Sequence, residues 1–598
     1  MDFLLIKRRL ANSYYADLRS LALMRVMAGL IFCYDMVTRS FDLEAFYSDF
    51  GVMPRGVLLD NFIGTYNFSL FFLSGNQFFT GMIFFFAVLI GLAFTFGYKT
   101  RVATILAWLI LVSLTNRNPF VINGGDIVLR VLFFWMIFLP IQARYSVDAA
   151  LTKEKSKENE YFSMSSIALL AQVGMIYLFT VLLKDSPQWR TDFTATYYAL
   201  ELDAFTTQFG HWLSQFYAYL KPATVCVLAI EILGPLALLI PYKDGRFRLL
   251  GLLFLIGMHI GFEASMRLGF FPYVDMTILV GCLPKEFWSY LSRLSARIPR
   301  SQTMIYYDGN CGFCYKSVLI LKELLILDQT EVRKIAESAE VEAVSQTKNS
   351  WVVRGPSGRL HTEFTAGCML LGSVPFLGVV LKRIPFARLR FLGDKVYRKV
   401  ADNRGQLSKF TAQYMPFSDT RRLHLNLFEK LIVGFSLIMC LAYNLQDKEL
   451  LDFQIPKPLS LYFNMTRLDQ KWDMFAPFPS TEDGFLVVEG QLDDKTIVDV
   501  MHLKVSAPDY APKAHKSELY KNARWRKYIY TIWAKKHKDK RLHFGRYLCR
   551  RWMKYMPESN RLQKFQVYFM LERSLPYDQK LKTGLKVEKV NIWNHKCY

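Results

Sequence analysis

A polytopic α-helical membrane protein with soluble parts appended is the fold class this sequence predicts, and three observations carry it. Apolar stretches long enough to cross a hydrocarbon core of about 30 Å recur along residues 19–292. Of the 598 residues, 52% are hydrophobic even though Lys and Arg outnumber Asp and Glu by 74 to 51, a formal charge of +23. That is too apolar for a basic nucleic-acid-binding protein and far too apolar for a disordered chain. The apolar residues also concentrate in the first half, with the basic ones near its loops and beyond it. The nine cysteines are scattered except for one close pair, which argues against a disulfide-stapled secreted scaffold.

The sequence predicts about nine spans, near 20–38, 78–97, 102–116, 127–143, 162–184, 222–241, 248–267, 271–291 and 427–445, the last standing alone after a polar interval. Arg25, Asp35, Glu231, Glu263 and Arg267 fall within them, and spans facing only lipid would not carry such charges, so they are expected to face a protein interior or a cavity. Every second loop is basic. Lys7, Arg8, Arg9 and Arg19 precede the first span, Lys99 and Arg101 follow the second, and Arg144, Lys153, Lys155 and Lys157 follow the fourth. Lys243, Arg246 and Arg248 follow the sixth, and Arg293, Arg297 and Arg300 the eighth. This code predicts a cytoplasmic N-terminus in a multi-pass inner-membrane protein. No cleavable signal-peptide pattern is expected at the start. The domain reading is a membrane domain over 1–295, a second domain over 301–420, a further span over 427–445 and a C-terminal domain over 446–598.

Residues 301–420 differ in kind. A β-rich run at Met304–Tyr307 leads into Asp308-Gly309-Asn310-Cys311-Gly312-Phe313-Cys314, then helical character over 318–327 and a second strand at 351–353. Strand, C-x-x-C, helix is the thioredoxin-like order of an α/β domain. The loop code places it in the cytoplasm. Residues 446–598 carry 29 Lys and Arg against 18 Asp and Glu, with strands expected at 485–489 and 496–505. They predict a soluble β-rich or α/β domain, extracytoplasmic because it follows the ninth span.

Three constellations carry chemistry. Lys184 lies at the external end of the fifth span with Trp189 five residues on. Two uses fit: an interfacial anchor whose ammonium snorkels to the headgroups, or a base whose pKa burial has lowered. His259, Glu263 and Arg267 are spaced four apart in the seventh span and are expected on one helix face, with Glu231 as a counter-charge; a structural network and a ligand site both fit. Cys311 and Cys314 are the second constellation. A thiol at a helix N-terminus is acidified, and a partner one turn later resolves a mixed disulfide. A zinc site needs two more ligands in a regular spacing, and none is present, so no metal is predicted. The third, 470–479, contains Trp472-Asp473-Met474-Phe475-Ala476-Pro477 and reads as a turn with packed aromatics. The basic clusters Arg524-Trp525-Arg526-Lys527 and 535–540 invite a nucleic-acid reading, but beyond the ninth span they are expected to be a solvated face or a contact with anionic lipid.

Arg25, the run from Phe46 to Arg55, Arg117-Asn118-Pro119, Asn123-Gly124-Gly125-Asp126 and Ser146-Val147-Asp148 together resemble the bacterial HTTM family, the membrane domain shared with vitamin K-dependent γ-carboxylase. Lys184 with Trp189 is similar to the carboxylase segment whose lysine deprotonates a quinol. His259 with Gly269 and Phe271-Pro272-Tyr273 is similar to its conserved histidine segment. This implies a vitamin K-like quinol as cofactor, with Lys184 and His259 catalytic and Glu231, Glu263, Arg267 and Trp189 binding it. The carboxylases also place a histidine in the helix before the Ser-Val-Asp element. Here that neighbourhood reads Gly124-Gly125-Asp126, and no histidine precedes His211. The Tyr307–Cys314 run, with Tyr397-Arg398 and Ala401-Asp402-Asn403-Arg404, resembles the DCC family of thiol-disulfide oxidoreductases. That implies Cys311 as attacking thiol, Cys314 as resolving thiol and Asp308 as the neighbouring acid.

The expected function is a membrane redox enzyme, with the bilayer and an exported peptide or protein as partners and no nucleic acid. A maturation factor for a secreted peptide toxin without carboxylase activity, or a non-catalytic membrane scaffold, is the alternative. The missing upstream histidine favours maturation over strict carboxylation, and the C-x-x-C favours catalysis over a scaffold.

Overall fold

The computed structural model describes residues 13–62, 66–154, 156, 158–240, 245–296, 303–374, 386–419, 423–447, 454–511, 516–583 and 586–597. Of the loop cations that set the expected orientation, Lys7, Arg8, Arg9, Lys155, Lys157, Lys243, Arg297 and Arg300 lie outside the described residues.

The first half is a helical bundle: α1 (Leu18–Ser40), α2 (Gln77–Phe96), α3 (Thr100–Arg117), α4 (Gly124–Met136), α5 (Met164–Leu183), α6 (Tyr217–Leu239), α7 (Arg246–Ser265) and α8 (Phe271–Gly281). Helix α1 packs on α2 and α8, and α6 packs on α5 and α7. Among the described residues, six helices are long and apolar enough to cross a membrane: α1, α2, α5, α6, α7 and one beginning at Leu427. Nine were expected. The stretch 102–116 becomes the polar-ended α3, whose last turn buries Thr115, Asn116 and Arg117. The stretch 127–143 is helical only as far as Met136, within a 13-residue helix that begins at Gly124, because tight turns at Ile137 and Phe138 lead into Pro140, which has no N–H to continue a helix. The stretch 271–291 stops at Gly281, three residues before Pro284, and a separate amphipathic helix follows at Lys285–Ala296.

Buried arginines tie this bundle together. Arg25, fully buried, donates to the carbonyls of Ile141 (2.7 Å), Arg144 (3.2 Å) and Tyr145 (2.5 Å). Arg117 donates to those of Tyr47 (3.1 Å), Met53 (2.8 Å) and Ser48 (2.8 Å). Each guanidinium thus satisfies loop carbonyls that would otherwise be orphaned. As expected, Arg25, Asp35 and Glu231 face the interior. Arg267 does not: α7 ends at Ser265, Met266 is extended and bridges to Thr206, and Arg267 is exposed beyond the helix.

The second domain holds β1 (Met304–Tyr307), α9 (Gly312–Leu324), β2 (Glu331–Lys334), β3 (Val352–Arg354) and β4 (Leu360–Thr362) in one sheet of order β2-β1-β3-β4. Strands β1 and β2 are parallel and the other two pairs antiparallel. Helix α9 packs against Val147–Ala150, where Glu323 accepts the Tyr145 N–H at 2.9 Å. Helix α10 (Leu427–Asp447) then packs along α5.

The C-terminal domain is an antiparallel sheet of β5 (Glu482–Leu492), β6 (Ile497–Asp499), β7 (Leu562–Arg573) and β8 (Val587–Lys596), ordered β8-β7-β5-β6, with α11 (Ala523–Trp533) and α12 (Arg541–Tyr555). Cys549 and Cys597 form a disulfide, joining α12 to the residue after β8. Arg524-Trp525-Arg526 is not a solvated face but the docking face. Arg524 pairs with Asp35, Trp525 donates to Asp42 (3.0 Å), and Arg526 donates to the carbonyls of Ala204 (2.7 Å) and Arg267 (2.5 Å). The apolar surroundings of α1 and α11 make solvation impossible there, so the charges find partners across the interface.

The two appended parts dock at opposite ends of α2. At its start, Asp49 contacts Gly75 and the loop receives Arg550, which donates to the Phe50 carbonyl at 2.8 Å. At its end, the Tyr98 hydroxyl donates to the Tyr414 carbonyl at 2.9 Å. Twenty helical residues, about 30 Å, separate them.

Candidate functional site

Lys184 sits at the C-terminal cap of α5, where its ammonium lies 2.7 and 2.6 Å from the two carboxylate oxygens of Glu231 on α6. It also lies 4.3 Å from the centroid of the Trp189 ring, a cation–π contact. The lysine is 3% exposed and the glutamate 4%, so the ammonium does not snorkel to a surface. Trp189 is fixed in turn, its indole N–H donating to the Phe475 carbonyl at 2.9 Å.

About two turns back along α5, the Tyr177 hydroxyl is hydrogen-bonded to His259 Nε2 at 2.7 Å, and that nitrogen lies 3.6 Å from Asp275. Both groups open on a cavity of about 740 Å³ between the helices and the C-terminal domain. Tyr177, Glu231, His259 and Asp275 form part of its wall, and residues 471–478 line it from the other side. Glu231, rather than Lys184, is the member of the ion pair that forms the wall. The turn expected at 470–479 is present and lines this cavity; Trp472 is buried, Phe475 half-buried and Phe478 exposed rather than packed.

The cavity brings together Lys184 (through Glu231), Trp189 (through Phe475) and His259. It leaves out two of the residues expected there. Glu263 accepts from the Tyr273 hydroxyl at 2.9 Å and lines a neighbouring groove of about 670 Å³. Arg267 stands 3.6 Å from Glu518. Of the expected common face, His259 and Glu263 stand four apart on α7 but line different spaces, and Arg267 lies beyond the helix end. Asp275 and Trp472 are wall residues that the sequence reasoning did not assign to a site. The signal for Asp275 was available: it is a lone acid inside an apolar run.

At the other end, Cys311 caps α9, and the Cys314 backbone N–H donates to its sulfur at 3.2 Å. The two cysteines are joined as a disulfide. Asp308 shapes the approach: its side chain accepts the Asn310 N–H (3.0 Å) and its carbonyl the Cys311 N–H (3.1 Å). Behind the pair, buried Lys316 donates to the Thr411 carbonyl at 2.7 Å and lies 5.4 Å from the Phe417 ring centroid. Among the described residues no group of three or more His, Cys, Asp or Glu is placed to hold a metal ion.

A sulfur pair one helical turn apart at a helix N-terminus, following a central strand, is the site of a dithiol–disulfide redox module. Residues 305–410, the span of this sheet and its helices, match the DCC1-like thiol-disulfide oxidoreductase family. No curated protein and no solved structure matches the chain.

Proposed function

We propose that the protein is a membrane redox enzyme in which the dithiol module is fused to a quinol-using membrane half that modifies an exported peptide or protein. The observation that carries the membrane half of this reading is the buried Lys184–Glu231 pair, whose glutamate forms part of the wall of a cavity of about 740 Å³. A buried ion pair is costly to build into a bundle and gives little stability that apolar residues would not give. A proton-handling role accounts for its position beside a ligand-sized space.

The helical side of the cavity suits a quinol, with aromatic and aliphatic walls and carboxyl groups at Glu231 and Asp275; Lys471, Asp473, Glu482, Arg526 and Lys527 line the side of the C-terminal domain. A bound quinol supplies two electrons and two hydroxyl protons. Glu231 would face its hydroxyl and take up the proton, Lys184 holds that carboxylate in place, and Trp189 with Phe475 keeps water from the ammonium. His259 is oriented by Tyr177. Of the groups expected to bind the cofactor, Glu263 and Arg267 are assigned to the rim of the neighbouring groove and to the loop beyond α7.

In the dithiol module, the Cys311 thiolate attacks a substrate disulfide and expels one thiolate. Cys314 then attacks the Cys311 sulfur, releasing the second substrate thiol and closing the Cys311–Cys314 bond, while Asp308 aids proton transfer. The substrate gains two electrons and two protons, and the module is left oxidised. We assign this module to the cytoplasm and the C-terminal domain to the outer side of a bacterial inner membrane.

Maturation of a secreted peptide without carboxylation is favoured by one observation at Gly125. A Cβ there would lie 2.9 Å from the Phe271 Cα, so this glycine, in the neighbourhood where the resemblance would lead one to look for a histidine, has no room for a side chain. The deciding experiment is mass spectrometry of exported peptides from cells with the intact gene, with Lys184→Ala and with Cys311→Ser. A carboxyl addition lost in Lys184→Ala supports the carboxylase-like reading. A disulfide change alone, lost in Cys311→Ser, supports maturation, and identical peptides in all three strains overturn both.

A further inference from the structure

The cavity wall carries four buried polar atoms that no hydrogen bond among the described residues satisfies: both carboxylate oxygens of Asp275, Nδ1 of His259 and the indole Nε1 of Trp472. Asp275 is 0% exposed, His259 1% and Trp472 5%. Asp275 has His259 Nε2 3.6 Å away, beyond hydrogen-bond reach, and that nitrogen is already engaged by Tyr177. Native interiors pair nearly all such groups, because an unpaired one carries its full desolvation penalty. Several orphans around one ligand-sized cavity therefore describe a binding site.

Their chemistry selects the ligand. A bound cation would suit Asp275 but leave the indole N–H pointing at a like charge. A bound anion would suit Trp472 but face the carboxyl group of Asp275. A neutral ligand bearing both a hydroxyl and a second oxygen satisfies acceptor and donor together. The surroundings are aromatic: Phe262 and Phe271 each lie 5.8 Å from the His259 ring centroid.

We propose that Asp275, His259 and Trp472 form the seat of an aromatic diol, with Asp275 accepting one ring hydroxyl and the Trp472 N–H donating to an oxygen of the same ligand. This rests on the quinol reading of the membrane half and adds to it the residues that recognise the ring oxygens. When the Tyr177 hydroxyl donates to His259 Nε2, Nδ1 carries the proton and supplies a second donor. Glu231, in the same wall, is left for the other ring hydroxyl.

The test is calorimetric titration of the full chain in detergent with a short-chain 1,4-naphthoquinol, kept reduced, and separately with its 1,4-dimethoxy ether, which has no hydroxyl to donate. The wild-type protein is expected to bind the diol about tenfold or more tighter than the ether. Asp275→Leu should lower that preference at least threefold, and Trp472→Phe should weaken diol binding about three- to tenfold. An unchanged preference in Asp275→Leu, or unchanged diol binding in Trp472→Phe, overturns the seat while leaving the quinol reading standing. Failure of wild-type protein to bind the diol overturns both. Should Asp275→Leu not fold, Trp472→Phe, which keeps an aromatic ring and removes the N–H, decides alone.

Discussion

The Lys184 ammonium touches both carboxylate oxygens of Glu231, 47 residues further along the chain, with neither side chain open to solvent. Removing one partner strands the other charge in an apolar interior, whereas removing both replaces a desolvated pair with packing. Lys184→Ala and Glu231→Leu are therefore each expected to lower stability by about 3–5 kcal/mol. The double variant Lys184→Met/Glu231→Leu should recover most of the loss while remaining inactive. Thermal unfolding in detergent reads this, and a double variant no more stable than the singles would show that the pair is not a self-contained unit.

Arg524 is the corresponding tie between halves of the molecule. It is buried against Asp35 of α1, which also pairs with Arg39 at 2.7 Å. Arg524→Ala leaves Asp35 sharing only Arg39, so the C-terminal domain should loosen from the helices by about 3 kcal/mol. Limited proteolysis checks this, with faster cleavage between residues 447 and 482 expected in the variant. Unchanged digestion would mean that Trp525 and Arg526 hold the domain unaided.

Much of this arrangement was legible in the sequence, and the rest was not for physical reasons. Lys184 and Trp189 stand five apart and advertise one another, and the Cys311–Cys314 pair with its preceding strand reads directly from spacing. Glu231 as their partner has no local signal, since only helix packing brings α6 against α5. Arg267 was misplaced because four-residue spacing assumes a helix that continues, and nothing in the local sequence announces its end at Ser265. The arginines at 524 and 526 looked like surface charge because a sequence does not show which interface will bury them. Strand β7 was missed although its signal was present: Phe565, Val567, Phe569 and Leu571 alternate and are all buried.

The position of Cys311 at the N-terminal cap of α9 predicts an acidic, reactive thiol in the reduced protein, because the unsatisfied N–H groups stabilise its thiolate. Iodoacetamide near neutral pH should label Cys311 about tenfold faster than Cys549 in the reduced, unfolded chain. Cys314 should label slowly until Cys311 is blocked. Equal rates for Cys311 and unfolded Cys549 would remove the nucleophile assignment and leave the pair structural.

Cys549 and Cys597 close a loop of 48 residues in sequence separation. A crosslink of that length restricts the unfolded chain enough for about 4 kcal/mol on the loop-entropy account. Cys549→Ala/Cys597→Ala should lower the unfolding midpoint of the C-terminal domain, read by intrinsic fluorescence. The same bond reports sidedness, since a persistent structural disulfide belongs to an oxidising compartment. In intact cells Cys549 and Cys597 should resist alkylation by a membrane-permeant maleimide, while the Cys311–Cys314 pair cycles between blocked and reactive. Free thiols at 549 and 597 would place this domain on the reducing side.

Lys516 gathers three carboxylates where the C-terminal sheet meets the membrane half: Glu572 at 2.5 Å, Asp203 at 2.7 Å and Asp483 at 3.7 Å. Burial pushes the pKa of Glu572 and of Asp483 up, and Lys516 only partly opposes it. Burial pulls Lys516 down, but the carboxylates outweigh it and its pKa ends raised, so the lysine stays charged throughout the physiological range. A carboxyl with a raised folded pKa contributes stability below its unfolded value, about 4.3 for a glutamate, and loses that contribution as pH rises through the folded value. Stability of this junction should therefore fall as pH climbs through that window, from the unfolded value to the folded one. Glu572→Gln keeps the shape, removes one buried charge and leaves Lys516 paired with Asp203 and Asp483. It should raise the unfolding midpoint at about pH 8 by roughly 2 °C, with little change near pH 4, flattening the pH profile. A variant less stable than wild type at the higher pH would mean that Lys516 needs the Glu572 charge more than burial penalises it.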